Sequence, residues 1–114
     1  MPDVPIESRT LSEHVLSEIV RRLTAALSPR AIYLFGSHAY GTPREGSDVD
    51  VLVVLPSEDF STWDMAKRAY GALDGTGLPV EFHFTWQERF EQFSAARGSF
   101  ESEIRAKGRL LYAA

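Results

Sequence analysis

Residues 34–54 read LFGSHAYGTPREGSDVDVLVV, and this stretch decides the fold that we expect. An apolar segment at 31–35 ends at Gly36-Ser37, and a second apolar segment begins at Asp48-Val49-Asp50. The two segments predict short buried strands at 31–35 and 48–55. The stretch between them is rich in Gly, Ser, Thr and Pro, which predicts a loop with room for one helical turn. Because this connection is short for a crossover, we expect the strands to be antiparallel neighbours.

The rest of the chain alternates between helical and strand-like patterns. Helices are predicted at about 10–27, 61–74, 86–96 and 100–107, and further strands at 80–86 and 109–112. Capping-box spacing marks three helix starts, at Thr10 with Glu13, Ser61 with Asp64, and Thr85 with Glu88. The alternation predicts an α/β fold, on the border with α+β, in which helices flank a small mixed sheet. The length of 114 residues suits a single domain, residues 1–114.

Asp48 and Asp50 are the residues that indicate chemistry. Residues two apart on a strand share a face, so we expect both carboxylates on one side of the sheet. Like charges at the edge of an apolar core are unfavourable, and a bound dication would relieve them. Mg²⁺ takes oxygen ligands of this kind together with substrate phosphates. Gly36, which has no Cβ, and Ser37, at a predicted helical turn, would let phosphate approach the backbone nearby.

The third predicted strand carries Glu81, His83 and Thr85 on one face. If this strand pairs beside Asp50, Glu81 lies near the same metal and is placed to ligate it and to act as general base. The pattern leaves the sheet order open, and a glutamate on any one-faced strand looks the same. We expect His83 and Thr85 to be ordinary polar-face residues.

Composition and charge exclude several classes of function. The chain has no cysteine, so disulfides, thiolate zinc sites and cysteine nucleophiles are excluded. The net charge of −4 argues against general binding to nucleic acid backbones. No signal peptide is expected, because the N-terminal residues 1–5 show no basic start followed by an apolar stretch. No membrane-spanning run is expected, because the longest apolar run, 51–55, is too short. These features favour a cytoplasmic protein.

Gly36-Ser37, ten residues, then Asp48-Val49-Asp50 resembles the signature of the DNA polymerase β-like nucleotidyltransferase superfamily. The short chain is similar to its minimal members, the MNT components of HEPN–MNT toxin–antitoxin pairs. The resemblance implies that Gly36 and Ser37 bind the phosphates of ATP. It also implies that Asp48, Asp50 and Glu81 are catalytic and hold two Mg²⁺ ions.

The resemblance further implies transfer of AMP, or another nucleoside monophosphate, to a hydroxyl of a HEPN-type toxin. One departure is that many relatives carry Arg where this chain has Tyr40, which removes a cation from the triphosphate site. His38 and Arg44 are the nearby residues that would supply a positive charge in place of that arginine.

Three functions therefore remain open. The first is the catalytic antitoxin just described. The second is an antitoxin that occludes its partner without catalysis. The presence of Tyr40 in place of arginine favours this function. The third is a subunit that modifies a small molecule such as an antibiotic, with its pocket completed by homo-oligomerisation.

Overall fold

The structure is a computed structural model that describes residues 12–40 and 48–114. Its elements in chain order are α1 Glu13–Leu27, β1 Ala31–Phe35, α2 Ser37–Tyr40, β2 Val49–Leu55, α3 Thr62–Ala72, β3 Val80–Trp86, α4 Gln87–Ser94, α5 Phe100–Lys107 and β4 Arg109–Ala113. This alternation confirms the predicted class, a small sheet flanked by helices. Across the described ranges, no helix combines the length and the apolar character that crossing a bilayer requires.

The four strands form one mixed sheet in the order β3-β2-β1-β4. β1 pairs with β2 in antiparallel register, with Phe35 opposite Asp50, which confirms the pairing expected from the short connection. β3 runs parallel to β2 and places Glu81 beside Asp50. β4 pairs antiparallel with the other side of β1. The sheet therefore brings the end of β1, the start of β2 and the start of β3 to one edge.

Each face of the sheet is covered by helices, so the core has two parts. One face packs against α1 and α3, and its buried residues include Ile32, Leu34, Val49, Val51, Val53 and Leu55. α1 contributes Leu16, Ile19, Leu23 and Leu27, whose spacing of three and four residues forms one stripe of the helix. On the opposite face, Leu52 and Val54 pack with Phe90 of α4 and Ile104 of α5. Asp50 shares this second face with Leu52 because residues two apart on a strand point the same way.

The helix caps agree with the sequence at one predicted position and differ at two. Ser61 caps α3 as predicted, since its Oγ accepts a hydrogen bond from the Asp64 N–H at 3.2 Å. α1 starts later than predicted and is capped by Ser12, not Thr10, which lies outside the described residues. Thr85 does not cap α4, because β3 continues to Trp86 and carries the Thr85 side chain into the interior, 3% exposed.

Candidate active site

Asp50 lies at the centre of the candidate site because of its place in the sheet. It is the second residue of β2 and is flanked by Phe35 of β1 on one side and by Glu81 of β3 on the other. It is half-buried, on the face that α4 and α5 cover. The parallel pairing of β2 with β3, on which the interpretation of Glu81 depended, is present. Two carboxylates thus stand side by side on adjacent strands.

Gly36 leaves the space that the Asp50 carboxylate occupies. Its backbone has a φ of +76°, a left-handed conformation that favours glycine. A Cβ added there would lie 2.2 Å from Asp50 Oδ2, far inside normal contact. Ser37 follows at once and opens the single turn of α2, where the Ala39 N–H donates to the Gly36 carbonyl oxygen at 3.1 Å. The Gly36 backbone therefore borders the carboxylate of Asp50 directly, and Ser37 is the next residue along the chain.

A cluster of potential metal ligands forms around Asp50. Three residues each offer one ligand atom, and these atoms lie within 4.8 Å of one another: Asp50, Glu81 and His83. His83 Nε2 is 3.7 Å from Glu81 Oε2. No sequence pattern distinguished His83 from other polar-face residues, although its position two residues after Glu81 was the available signal. Asp48 is not a member of this cluster; it precedes β2 and is exposed.

The electrostatic environment of Asp50 is unfavourable for a carboxylate. Burial, and then the neighbouring charge of Glu81, raise the pKa of Asp50 above its ordinary value. His83 and His38 lower this pKa, while Asp48 adds to the increase. A desolvated acid beside a second acid is stabilised by a cation, so this environment fits a bound dication.

Aromatic rings border the cluster on the side of α5. The His83 ring lies 5.3 Å from Phe35 in an edge-to-face arrangement and 5.8 Å from Phe100. Phe35 and Phe100 contact each other edge to face at 5.4 Å. Phe100 is the first residue of α5 and is 47% exposed, so this aromatic group is open to solvent.

Part of the predicted phosphate site falls outside the residues that the structure describes. The Tyr40 side chain and residues 41–47, which include Arg44, are outside the described residues. His38 belongs to α2, close enough to Asp50 to influence its ionisation.

Comparison with known proteins finds a matching family model and a relative in sequence. A family model described as the nucleotidyltransferase domain matches residues 15–110. The protein adenylyltransferase MntA from Shewanella oneidensis is 32% identical over 66 residues, which cover 56% of this chain and 46% of that protein. The chain therefore spans less than half the length of this relative.

Two solved structures share the fold. A candidate nucleotidyltransferase from Sulfolobus solfataricus has a TM-score of 0.65 and 18% identity, over 99% of this chain and 90% of that one. A toxin–antitoxin structure with AMP-PNP has a TM-score of 0.55 and 21% identity, over 87% of this chain and 73% of that one. At these identities the likeness is one of architecture.

Proposed function

This chain belongs to the nucleotidyltransferase domain family and is an enzyme of that type, and we propose that it transfers AMP from ATP to a hydroxyl of a partner protein in a Mg²⁺-dependent reaction. The partner that we propose is a HEPN-type toxin, which the modification would neutralise. The observation that carries the proposal is the pair of adjacent carboxylates, Asp50 and Glu81, with the Gly36 backbone directly against the carboxylate of Asp50. Metal ions held by the two acids would therefore lie close to the Gly36-Ser37 backbone, where the phosphates of ATP would bind.

Each residue has a distinct part in the proposed reaction. Asp48, Asp50 and Glu81 would hold the Mg²⁺ ions, which when bound would neutralise charge on the phosphates and at the reacting phosphorus. The backbone of Gly36 and the hydroxyl of Ser37 would bind the β- and γ-phosphates. Catalysis would then come from positioning and charge neutralisation, as in phosphoryl transfer generally.

Glu81 would act on the acceptor. The acceptor oxygen forms a bond to the α-phosphorus of ATP, and the bond from that phosphorus to the oxygen of the β-phosphate breaks. Pyrophosphate leaves, and the proton of the acceptor hydroxyl passes to the Glu81 carboxylate. The exposure of the Glu81 side chain, 55%, supports this role because an incoming hydroxyl can reach it.

Two comparisons support a protein as the acceptor. The relative from Shewanella oneidensis is named a protein adenylyltransferase, and the region it shares with this chain is 32% identical. A structural neighbour is a toxin–antitoxin structure with AMP-PNP. Both names describe those proteins, and we extend them to this chain as the proposal.

The decisive experiment combines the protein with ATP, Mg²⁺ and a HEPN-type partner protein. We expect pyrophosphate release and a lasting increase in the intact mass of the partner by whole AMP units. Asp50→Asn should abolish both signals, whereas Asp74→Asn, an exposed acid after α3 and outside the cluster, should preserve them. Wild-type protein that leaves the partner's mass unchanged would refute the proposed transfer.

Co-expression with the partner separates chemistry from occlusion. Burying a partner surface needs shape and apolar contacts, whereas transfer needs the metal ligands. The double variant Asp48→Asn/Asp50→Asn should therefore bind the partner without protecting cells. Protection equal to that of the wild type, with no change in the mass of the partner, would establish the occluding antitoxin instead.

A further inference from the structure

His83 lies beside the two acids of the candidate site, with its ring nitrogen close to one of them. It is two residues beyond Glu81 on β3, opposite Leu52 of β2, on the face that Asp50 and Glu81 share. Its Nε2 atom is 3.7 Å from Glu81 Oε2, and all three ligand atoms fall within 4.8 Å. Ligands of one metal ion, each about 2.0–2.2 Å from it, are separated by about 3–3.5 Å. Small side-chain rotations would bring the three atoms to that spacing.

The surroundings of His83 restrict its ring. Phe35 lies 5.3 Å away at an interplanar angle of 63°, and Phe100 lies 5.8 Å away at 51°. The two phenyl rings also contact each other, so they form a continuous support. A histidine whose side chain is 38% exposed and whose ring is packed in this way is oriented before a ligand arrives.

We propose that His83 is a ligand, with Asp50 and Glu81, of the metal ion on the β3 side of the site, and that it makes this position prefer transition dications over Mg²⁺. The proposal rests on the function proposed above, since it concerns the same site. Mg²⁺ binds oxygen ligands and retains water, whereas imidazole nitrogen suits first-row transition metals. Replacing one oxygen ligand by nitrogen therefore favours ions such as Co²⁺, Ni²⁺ or Zn²⁺. Asp48, outside the cluster, takes no part in this preference.

The test uses Co²⁺ as a spectroscopic probe and the full chain without ATP or partner. Titrations of Co²⁺, followed by visible absorption and calorimetry, are compared with titrations of Mg²⁺. His83→Gln should weaken Co²⁺ binding by roughly tenfold or more and shift the Co²⁺ bands, with little change in Mg²⁺ affinity. His14→Gln, an exposed histidine of α1, is the matched control and should behave as wild type.

Two results would overturn the proposal. One is an unchanged Co²⁺ affinity and spectrum in His83→Gln, and the other is an equal loss of Co²⁺ and Mg²⁺ binding. His38→Gln is included because His38 is near enough to Asp50 to affect its ionisation. If the loss of Co²⁺ binding followed His38 and not His83, the proposed ligand would be wrong.

A second measurement covers the case in which His83→Gln does not fold. The chain has three histidines, so an imidazole N–H resonance shifted by bound Co²⁺ that persists in His14→Gln and in His38→Gln belongs to His83. Absence of that resonance would overturn the proposal. Because neither readout requires transfer, failure of His83 as a ligand leaves the proposed function standing. Conversely, Co²⁺ binding through His83 without any AMP transfer would refute the proposed function and leave His83 established as a ligand.

Discussion

Gly36→Ala tests the geometry on which the site depends. Two separate effects are expected from one added methyl group. The first is backbone strain, since alanine at a φ of +76° costs about 1–2 kcal/mol of folding free energy. The second is the contact of the new Cβ with Asp50 Oδ2 at 2.2 Å, which forces the carboxylate to move. Turning that side chain away from its preferred rotamer costs about 0.5–1.5 kcal/mol more.

Gly75→Ala is the matched control for the strain. Gly75 has a φ of +85°, and a Cβ built there meets no atom within 4 Å. The Gly75→Ala variant should therefore lose about 1–2 kcal/mol of unfolding free energy, or roughly 4–10 °C in Tm, without any effect on the site. Gly36→Ala should lose more stability than this control and should also bind ATP with Mg²⁺ at least about tenfold more weakly.

A double-mutant cycle isolates the contact from the strain. In Gly36→Ala/Asp50→Ala the carboxylate is gone, so the glycine substitution should cost about as much as Gly75→Ala. The coupling free energy between positions 36 and 50, from chemical denaturation of the four proteins, should be about 1 kcal/mol. Additive effects, or equal ATP affinity in Gly36→Ala and Gly75→Ala, would refute the close approach of Gly36 to Asp50.

Three further predictions test the acids and the helix that supports the aromatic group. Glu81→Gln should slow AMP transfer by about 10²–10⁴-fold in an incorporation assay, while Glu88→Gln on α4 should not; equal rates would exclude Glu81 as the base. The surroundings of Asp50 raise its pKa, so the fold favours the protonated acid. The contribution of Asp50 to folding stability is therefore fully present below the ordinary pKa of aspartate, and it is lost as the pH rises through the raised pKa. In chelator, Asp50→Asn should therefore gain stability over wild type as the pH rises from below the ordinary pKa of aspartate to above the raised pKa, and thermal melts showing a constant difference would contradict this. Ser99→Ala removes the cap that accepts from the Ser102 N–H at 3.0 Å and should cost about 1 kcal/mol, whereas Ser17→Ala, exposed on α1, should be nearly neutral in the same denaturation assay.

Local signals in the sequence were sufficient for the elements and for one strand pairing. The apolar segments around Gly36-Ser37 and Asp48-Val49-Asp50 have a short connection, and the structure shows the antiparallel pairing that this connection favours. Ser61 with Asp64 marked a genuine cap. The same spacing misled at Thr85, because a strand that runs into a helix can place a threonine three residues before a glutamate by coincidence. Burial of the Thr85 side chain then excludes the capping interaction.

The candidate site depended on a long-range pairing that no local pattern encodes. Glu81 comes beside Asp50 only because β3 joins β2 in parallel, after a connection that includes all of α3. The alternating pattern of β3 fits a strand at either edge of the sheet, running in either direction. The sequence therefore did not determine which residue lies beside Glu81. His83 depended on the same pairing, and its distinction from an ordinary polar residue appears only in the 3.7 Å approach to Glu81 and in the rings around it. Asp48, which the spacing placed with Asp50, lies just outside the strand.

The unfavourable position of Asp50 connects stability with function. An asparagine would occupy the same volume beside Glu81 without the charge, so the carboxylate makes the metal-free fold less stable than it could be. A ligand that binds only the folded state adds stability in proportion to the logarithm of its concentration over its Kd. A dication bound between Asp50 and Glu81 would therefore both remove the repulsion and stabilise the fold. It follows that metal should raise the Tm of the wild type more than that of Asp50→Asn, and that the strongest stabilisation should come from the ion that the site prefers.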